Sequence, residues 1–197
     1  MTEALVVSNI VLWIVILALL LAVLALARQV GILYERIAPM GALMLDHGPK
    51  VGAMAPAFGL ESLGGGGLAV GRAGSDKSQL LFFLSPTCPV CKKLLPVLKS
   101  IRNAEAEWLD VVLASDGDRQ EHAEFYRKAG LAGFPYVLSS ELGMAFKVGK
   151  LPYAVLIGDD GRVRAKGLVN SREQLESLFA AKELGVASVQ EYLDQQA

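Results

Sequence analysis

Cysteine is nearly absent from this chain. Its 197 residues include two, Cys88 and Cys91, and both lie in one Cys-Pro-Val-Cys tetrapeptide. With no further pair to staple a small secreted fold, these two must be read as chemistry or as metal ligands. Histidine is as scarce: His47 falls in a linker and His122 on an exposed-looking helix, neither at metal-ligand spacing from a cysteine. Zinc takes about four ligands, so both histidines read as ordinary surface residues, and a copper site from two thiolates and one distal histidine is the metal reading left open. Charge of one sign is also lacking. The 19 basic and 20 acidic side chains leave a net charge of −1, which excludes the strong field that a nucleic acid partner would need. The length suits one globular domain with a terminal attachment.

Hydrophobic residues, by contrast, make up 53% of the chain, and the excess is gathered at the N-terminus. From Leu5 to Ala27 only Ser8 and Asn9 are polar. As a helix rising about 1.5 Å per residue the run is roughly 34 Å long, enough to cross a bilayer. Ala25-Leu26-Ala27 has the small-x-small form of a signal cleavage site, but no Lys or Arg precedes the run, which exceeds the ~7–15 apolar residues of a signal peptide. A retained single-pass transmembrane anchor over residues 1–28 is therefore expected. Arg28 and Arg36 follow the helix while Glu3 precedes it, and the positive-inside bias would place the domain in the cytoplasm. A two-cysteine redox centre belongs where disulfides are made, and on that ground the expectation is the inner (cytoplasmic) membrane with a periplasmic domain.

Pro39, Gly41, Gly48, Pro49, Gly52 and Pro56 punctuate the next stretch, predicting a linker over residues 29–50 and a domain over 51–197. Gly64-Gly65-Gly66-Gly67 lacks the Gly-Lys-Ser/Thr of a phosphate loop and reads as a turn between two short strands. Beyond it the pattern alternates. Leu80 to Leu84 is a buried strand, and Pro89 to Ile101 a helix with Val90, Leu94, Val97, Leu98 and Ile101 at helical spacing. Leu109 to Ala114 follows as a strand, Gln120 to Ala129 as a helix with Phe125 and Ala129 on its apolar face, Tyr136 to Leu138 as a short strand, and Glu141 to Phe146 as a short helix. Tyr153 to Ile157 is a third core strand, turned by Asp160-Gly161 into Arg162 to Gly167. Ser171 and Gln174 form a capping box for a last helix carrying Leu175, Leu178 and Phe179, and residues from about Gly185 onward look weakly ordered. This is an α/β chain: a mixed central sheet flanked by helices on both faces.

The motif opens a helix directly after a strand. Pro89 is tolerated in the first turn, where its missing N–H would have had no intrahelical partner. The sulfur of Cys88 then faces unpaired backbone N–H groups and the positive end of the helix dipole, which favour negative charge there. Cys88 is the accessible nucleophile and Cys91, one turn on, the more buried resolving thiol. The cycle is thiolate attack on a disulfide, a mixed disulfide, and resolution by the second sulfur. Lys92 and Lys93 stand close enough to support a thiolate, although solvated helix lysines are the plainer reading. The strand before the motif carries no acidic residue to accept a proton, which leaves the proton route open.

These residues in this order resemble the thioredoxin superfamily, in particular its membrane-tethered branch with an extra N-terminal hairpin, related to cytochrome c maturation thioredoxins and peroxiredoxins. The marks are Val51-Gly52-Ala53-Met54-Ala55-Pro56-Ala57-Phe58, Cys88-Pro89-Val90-Cys91, and Leu151-Pro152-Tyr153-Ala154-Val155-Leu156-Ile157 followed by Asp159-Asp160-Gly161. The resemblance implies that Pro152 is a cis-proline facing the cysteines and that Leu151 offers backbone groups to an extended substrate peptide. Ser85-Pro86-Thr87 departs from the aromatic residue often found before the first cysteine, and no threonine stands three positions before Cys88, which disfavours a peroxidase.

More narrowly, the anchor, Gly31-Ile32-Leu33-Tyr34-Glu35-Arg36-Ile37-Ala38-Pro39 and the Cys-Pro-Val-Cys centre resemble the methylamine utilisation accessory family MauD, over nearly the full length. That resemblance implies a protein thiol–disulfide oxidoreductase without a cofactor beyond its redox-active disulfide. Its implied client is the periplasmic small subunit of methylamine dehydrogenase, rich in disulfides and carrying a tryptophan-derived quinone, with a further, unidentified redox partner to reset the pair. A thiol reductant of the cytochrome c maturation type and a copper chaperone are the alternatives.

Overall fold

The computed structural model describes residues 2–36 and 48–184. The chain divides into two units, Met1–Leu45 and Asp46–Ala197.

The first unit is helix α1 (Thr2–Arg36), within which Val6–Leu26 is long and apolar enough to cross a membrane. Its large apolar side chains over that span are exposed, which fits a candidate membrane span. The helix runs past residue 28, where the sequence had placed the end of the anchor. Gly31 is its only strong breaker before Pro39, and a single interior glycine costs about 1 kcal/mol, too little to stop a long helix. The first part of the expected linker is therefore helical, and the rest of it up to residue 47 lies outside the described residues.

The second unit opens with the expected hairpin. β1 (Phe58–Glu61) pairs antiparallel with β2 (Gly67–Val70) around the glycine turn. Then follow β3 (Ser78–Phe83), α2 (Pro89–Ala104), β4 (Leu109–Ser115), α3 (Arg119–Lys128), β5 (Tyr136–Leu138), α4 (Ser140–Ala145), β6 (Tyr153–Ile157), β7 (Val163–Leu168) and α5 (Arg172–Leu184). The sheet order is β5-β4-β3-β6-β7, with β3 parallel to β4 and antiparallel to β6.

Strand alternation divides the core in two. Leu80 and Phe82 of β3 meet Leu94, Leu98 and Ile101 of α2 and Leu175 of α5 on one face. Leu81 and Phe83 meet Leu142 of α4, Phe146 and Val70 of the hairpin on the other. Two punctuated regions are tied down more than their composition suggested. Gly52 N–H donates to the Val163 carbonyl at 2.8 Å and Val163 N–H to that of Ala53 at 2.9 Å, so the sheet captures the chain before Pro56. After β1, Leu63 N–H donates to the Tyr136 carbonyl at 2.7 Å and Ser62 Oγ accepts from Tyr136 N–H at 3.1 Å. The hairpin thus covers the exposed edge of β5.

Candidate active site

The central strand delivers the motif. β3 ends at Phe83, which pairs with Tyr153 at the start of β6, so the loop after β3 and the Leu151-Pro152 segment before β6 emerge at one end of the sheet. Ser85-Pro86-Thr87 shapes that loop. Ser85 Oγ accepts from Thr87 N–H at 3.3 Å and lies 2.9 Å from Thr87 Oγ1, while its carbonyl accepts from Cys88 N–H at 3.1 Å. A serine turn therefore fixes the approach to the motif where an aromatic residue was wanting.

Cys88 is the N-cap of α2, with Pro89 in the first turn. Its Sγ accepts the N–H of Cys91 at 3.1 Å, one of the amides that a helix start leaves without an intrahelical partner. Cys88 is partly exposed and Cys91 fully buried, both as free thiols. Burial, then its hydrogen bond with Cys88 and the charge that Cys88 can carry, push the Cys91 thiol up to about 12. One sulfur is thus partly accessible and accepts a helix N–H, and the other is held as a thiol one turn on.

The Leu151–Pro152 peptide bond is cis. Pro152 is buried, its carbonyl accepting from Val169 N–H at 3.1 Å, while Leu151 stands exposed beside it. Lys92 and Lys93 are exposed, and Lys92 lines a groove of about 420 Å³ with Pro86, Leu95, Glu121 and Phe125.

His122 overturns its reading as a surface residue. It is 3% exposed, with Nδ1 2.6 Å from the Tyr136 hydroxyl and Nε2 2.8 Å from the Asp116 carbonyl oxygen. Its neighbours Phe125, Tyr126 and Ala129 pack on the core at helical spacing from it, a signal that its polar character obscured. Tyr136 is fully buried in the same cluster as Cys91, and burial pushes its phenol well above the ordinary range. With both ring nitrogens engaged, His122 has no lone pair to offer a metal. Among the described residues no group of three His, Cys, Asp or Glu could hold one, and His47 lies outside those residues.

Residues 71–182 match the thioredoxin-like domain family. The chain is 51% identical to the methylamine utilization protein MauD of Paracoccus versutus, over 96% of this chain and 94% of that one. It is 48% identical to the protein of that name from Methylorubrum extorquens, over 97% and 93%. Among solved structures it is similar to a putative thiol:disulfide interchange protein DsbE from Chlorobium tepidum, with TM-score 0.61 and 19% identity over 68% of this chain and 98% of that one. StoA from Bacillus subtilis matches with TM-score 0.54 and 24% identity, over 63% and 96%. At those identities the two structures speak for the fold, which is thioredoxin-like with a mixed sheet between helices. The sequence relatives go further, and with a Cys-Pro-Val-Cys centre at the head of α2 the chain belongs to the MauD family of thioredoxin-like methylamine utilisation proteins.

Proposed function

We propose that this chain is a membrane-anchored protein thiol–disulfide oxidoreductase that makes, shuffles or transports disulfides during maturation of the methylamine dehydrogenase small subunit. The observation that carries the reading is the asymmetry of the pair: Cys88 partly exposed at a helix N-cap, Cys91 buried one turn behind and bonded to it. Cys88 thiolate attacks a client disulfide, displacing one client sulfur as a thiolate and leaving a Cys88–client mixed disulfide. Cys91 then attacks Cys88, releasing the second client thiol and closing the internal disulfide; oxidation of a client is the same path reversed. The electrons pass between sulfurs only, so the pair needs no cofactor. Leu151 and Pro152 sit at the same end of the sheet, where an extended client segment can lie against the exposed Leu151. Support for the client is the family's place in methylamine utilisation.

The apolar span Val6–Leu26 anchors the chain in the inner membrane with its domain on the periplasmic side, where client disulfides are formed. An alkaline phosphatase fused after residue 197 is active on that side only, and an inactive fusion overturns this topology. Equilibration with glutathione buffers gives the potential of the Cys88–Cys91 couple. A value near about −120 to −180 mV supports disulfide formation or shuffling, whereas one at or below about −270 mV replaces that role with reductant supply of the cytochrome maturation kind.

A further inference from the structure

The last hydrogen bond joining the β3 chain to β4 before the motif comes from a side chain. Leu84, the residue after β3, donates its N–H to the Ala114 carbonyl at 3.0 Å. In a parallel pair the carbonyl of such a residue takes the N–H two residues further along the neighbouring strand, which would be that of Asp116. The ladder stops short of it: no backbone N–H among the described residues reaches the Leu84 carbonyl. The chain after β4 has already turned away, with the Asp116 carbonyl 2.8 Å from His122 Nε2 and Gly117 at φ +111°. The Ser115 hydroxyl fills the place, donating to the Leu84 carbonyl at 2.7 Å. Its approach to the Asp116 carbonyl, at 3.4 Å, is the longer and weaker of the two. Leu84 and Ser115 are 1% and 7% exposed, so bulk water does not stand in for the hydroxyl.

What this bond holds is the approach to Cys88. The Leu84 carbonyl and the Ser85 N–H belong to one planar peptide, so fixing the first fixes the direction of the second. Ser85 then organises the motif loop. Its carbonyl accepts from Cys88 N–H at 3.1 Å and its Oγ from Thr87 N–H at 3.3 Å. Cys88 in turn holds its sulfur 3.1 Å from the Cys91 N–H. Every link from the Ser115 hydroxyl to the Cys88 sulfur is thus either a covalent bond or a hydrogen bond. The same peptide also serves the second sulfur: burial is what most raises the Cys91 thiol, and a hydrogen bond from the Ser85 backbone works against that rise.

We propose that Ser115 is a positioning residue for disulfide exchange, its hydroxyl holding the Leu84–Ser85 peptide in the orientation that seats Cys88 for attack. The inference rests on the reading of Cys88 as the attacking thiol. Without the hydroxyl the Leu84 carbonyl is left buried and unpaired, and the peptide turns to relieve it. The Ser85 carbonyl turns with it, the Cys88 N–H loses its acceptor, and the sulfur leaves the line of the Cys91 N–H. Exchange is sensitive to such a shift, because the attacking sulfur must be aligned with the disulfide bond that it breaks.

The test measures attack alone, in a Cys91→Ser background where an adduct on Cys88 is not resolved. Full-length protein in detergent is reduced, mixed with oxidised glutathione at neutral pH, quenched with acid at intervals and weighed by mass spectrometry. Ser115→Ala slows formation of the glutathione adduct about tenfold. Ser115→Thr, which keeps a hydroxyl on the same carbon, stays within about twofold of the parent, whereas Ser115→Val, its match in shape without the hydroxyl, is slowed as the alanine variant is. Asp118→Ala, which removes the cap of α3, loses stability in urea yet attacks at the parent rate. Equal rates for the threonine and valine variants overturn the proposal, and that comparison stands whether or not the alanine variant folds. A folded alanine variant that attacks at the parent rate overturns it as well. So does a deficit in Asp118→Ala as large as in Ser115→Ala, the mark of general loosening. Absence of any adduct on Cys88 in the parent would instead sink the reading of Cys88 as the attacking sulfur.

Discussion

The N–H of Cys91 points at the sulfur of Cys88, 3.1 Å away, so the backbone of the resolving residue solvates the attacking one. The contact depends on Cys88 being the N-cap and Cys91 standing three residues on, the spacing at which cap side chains meet free helix amides. It divides the labour between two chemically identical groups by position alone.

That division predicts opposite phenotypes for the two serine variants. Cys91→Ser retains attack and loses resolution, so mixed disulfides with client protein accumulate on Cys88 and disappear on treatment with a reductant. Cys88→Ser loses attack, and turnover falls to background with no adduct trapped. Non-reducing gels of membranes from cells maturing methylamine dehydrogenase distinguish them. Adducts on both variants, or on neither, contradict the assigned roles.

The position of α2 rests on its apolar stripe. Leu98 is fully buried between α2 and the sheet, in the cluster that also holds Cys91. Leu98→Ala should cost about 2–5 kcal/mol of unfolding free energy, through lost transfer energy and the cavity left behind. Urea unfolding with an unchanged slope checks this, and a cost below about 1 kcal/mol would mean that the site collapses onto the smaller side chain.

α3 depends on its cap. Asp118 Oδ1 accepts from Gln120 N–H at 2.9 Å and Glu121 N–H at 3.0 Å. Asp118→Ala should destabilise the domain by about 1 kcal/mol, and Asp118→Asn by less, because the amide oxygen can still cap. The residue after Glu121 is His122, so hydrogen exchange at the first turn of α3 should quicken in the alanine variant without a comparable change in α5.

How far these features could be read without a structure varies with the physics behind them. The strands around Leu80, Leu109 and Tyr153 were legible because central strands are apolar on both faces and leave short runs of branched and aromatic residues. The motif was legible because a strand feeding Cys88-Pro89 into a helix is a local arrangement. His122 was not. Helical spacing puts it in line with Phe125, Tyr126 and Ala129, but a histidine counts as polar until its partners are known, and those lie on β5 and after β4. The partner of the segment near Gly52 was hidden for a similar reason: glycine and proline density describes local freedom, whereas a long-range pairing with Val163 decides whether that freedom is used. The hairpin's hold on Tyr136 through Ser62 likewise joins residues far apart in sequence.

The buried thiol also makes reduced-state stability depend on pH, with a definite sign. Cys91 is raised to about 12 in the fold, mainly by burial, while an unfolded cysteine ionises near about 8.5. A group raised in this way binds its proton longer in the native state than in the unfolded chain. Its contribution is fully present below the unfolded value and is lost progressively as pH rises toward the folded one. The reduced domain should therefore weaken between about pH 9 and pH 12. Tyr136 is raised too and acts in the same direction from higher pH, so the informative comparison is with Cys91→Ala, which keeps the phenol. Under reductant, the stability difference between wild type and this variant should move against the wild type from pH 8 to pH 10, as read by urea midpoints with matched slopes. Parallel curves would mean that Cys91 ionises in the fold as easily as in the unfolded chain, and would contradict its burial as a neutral thiol.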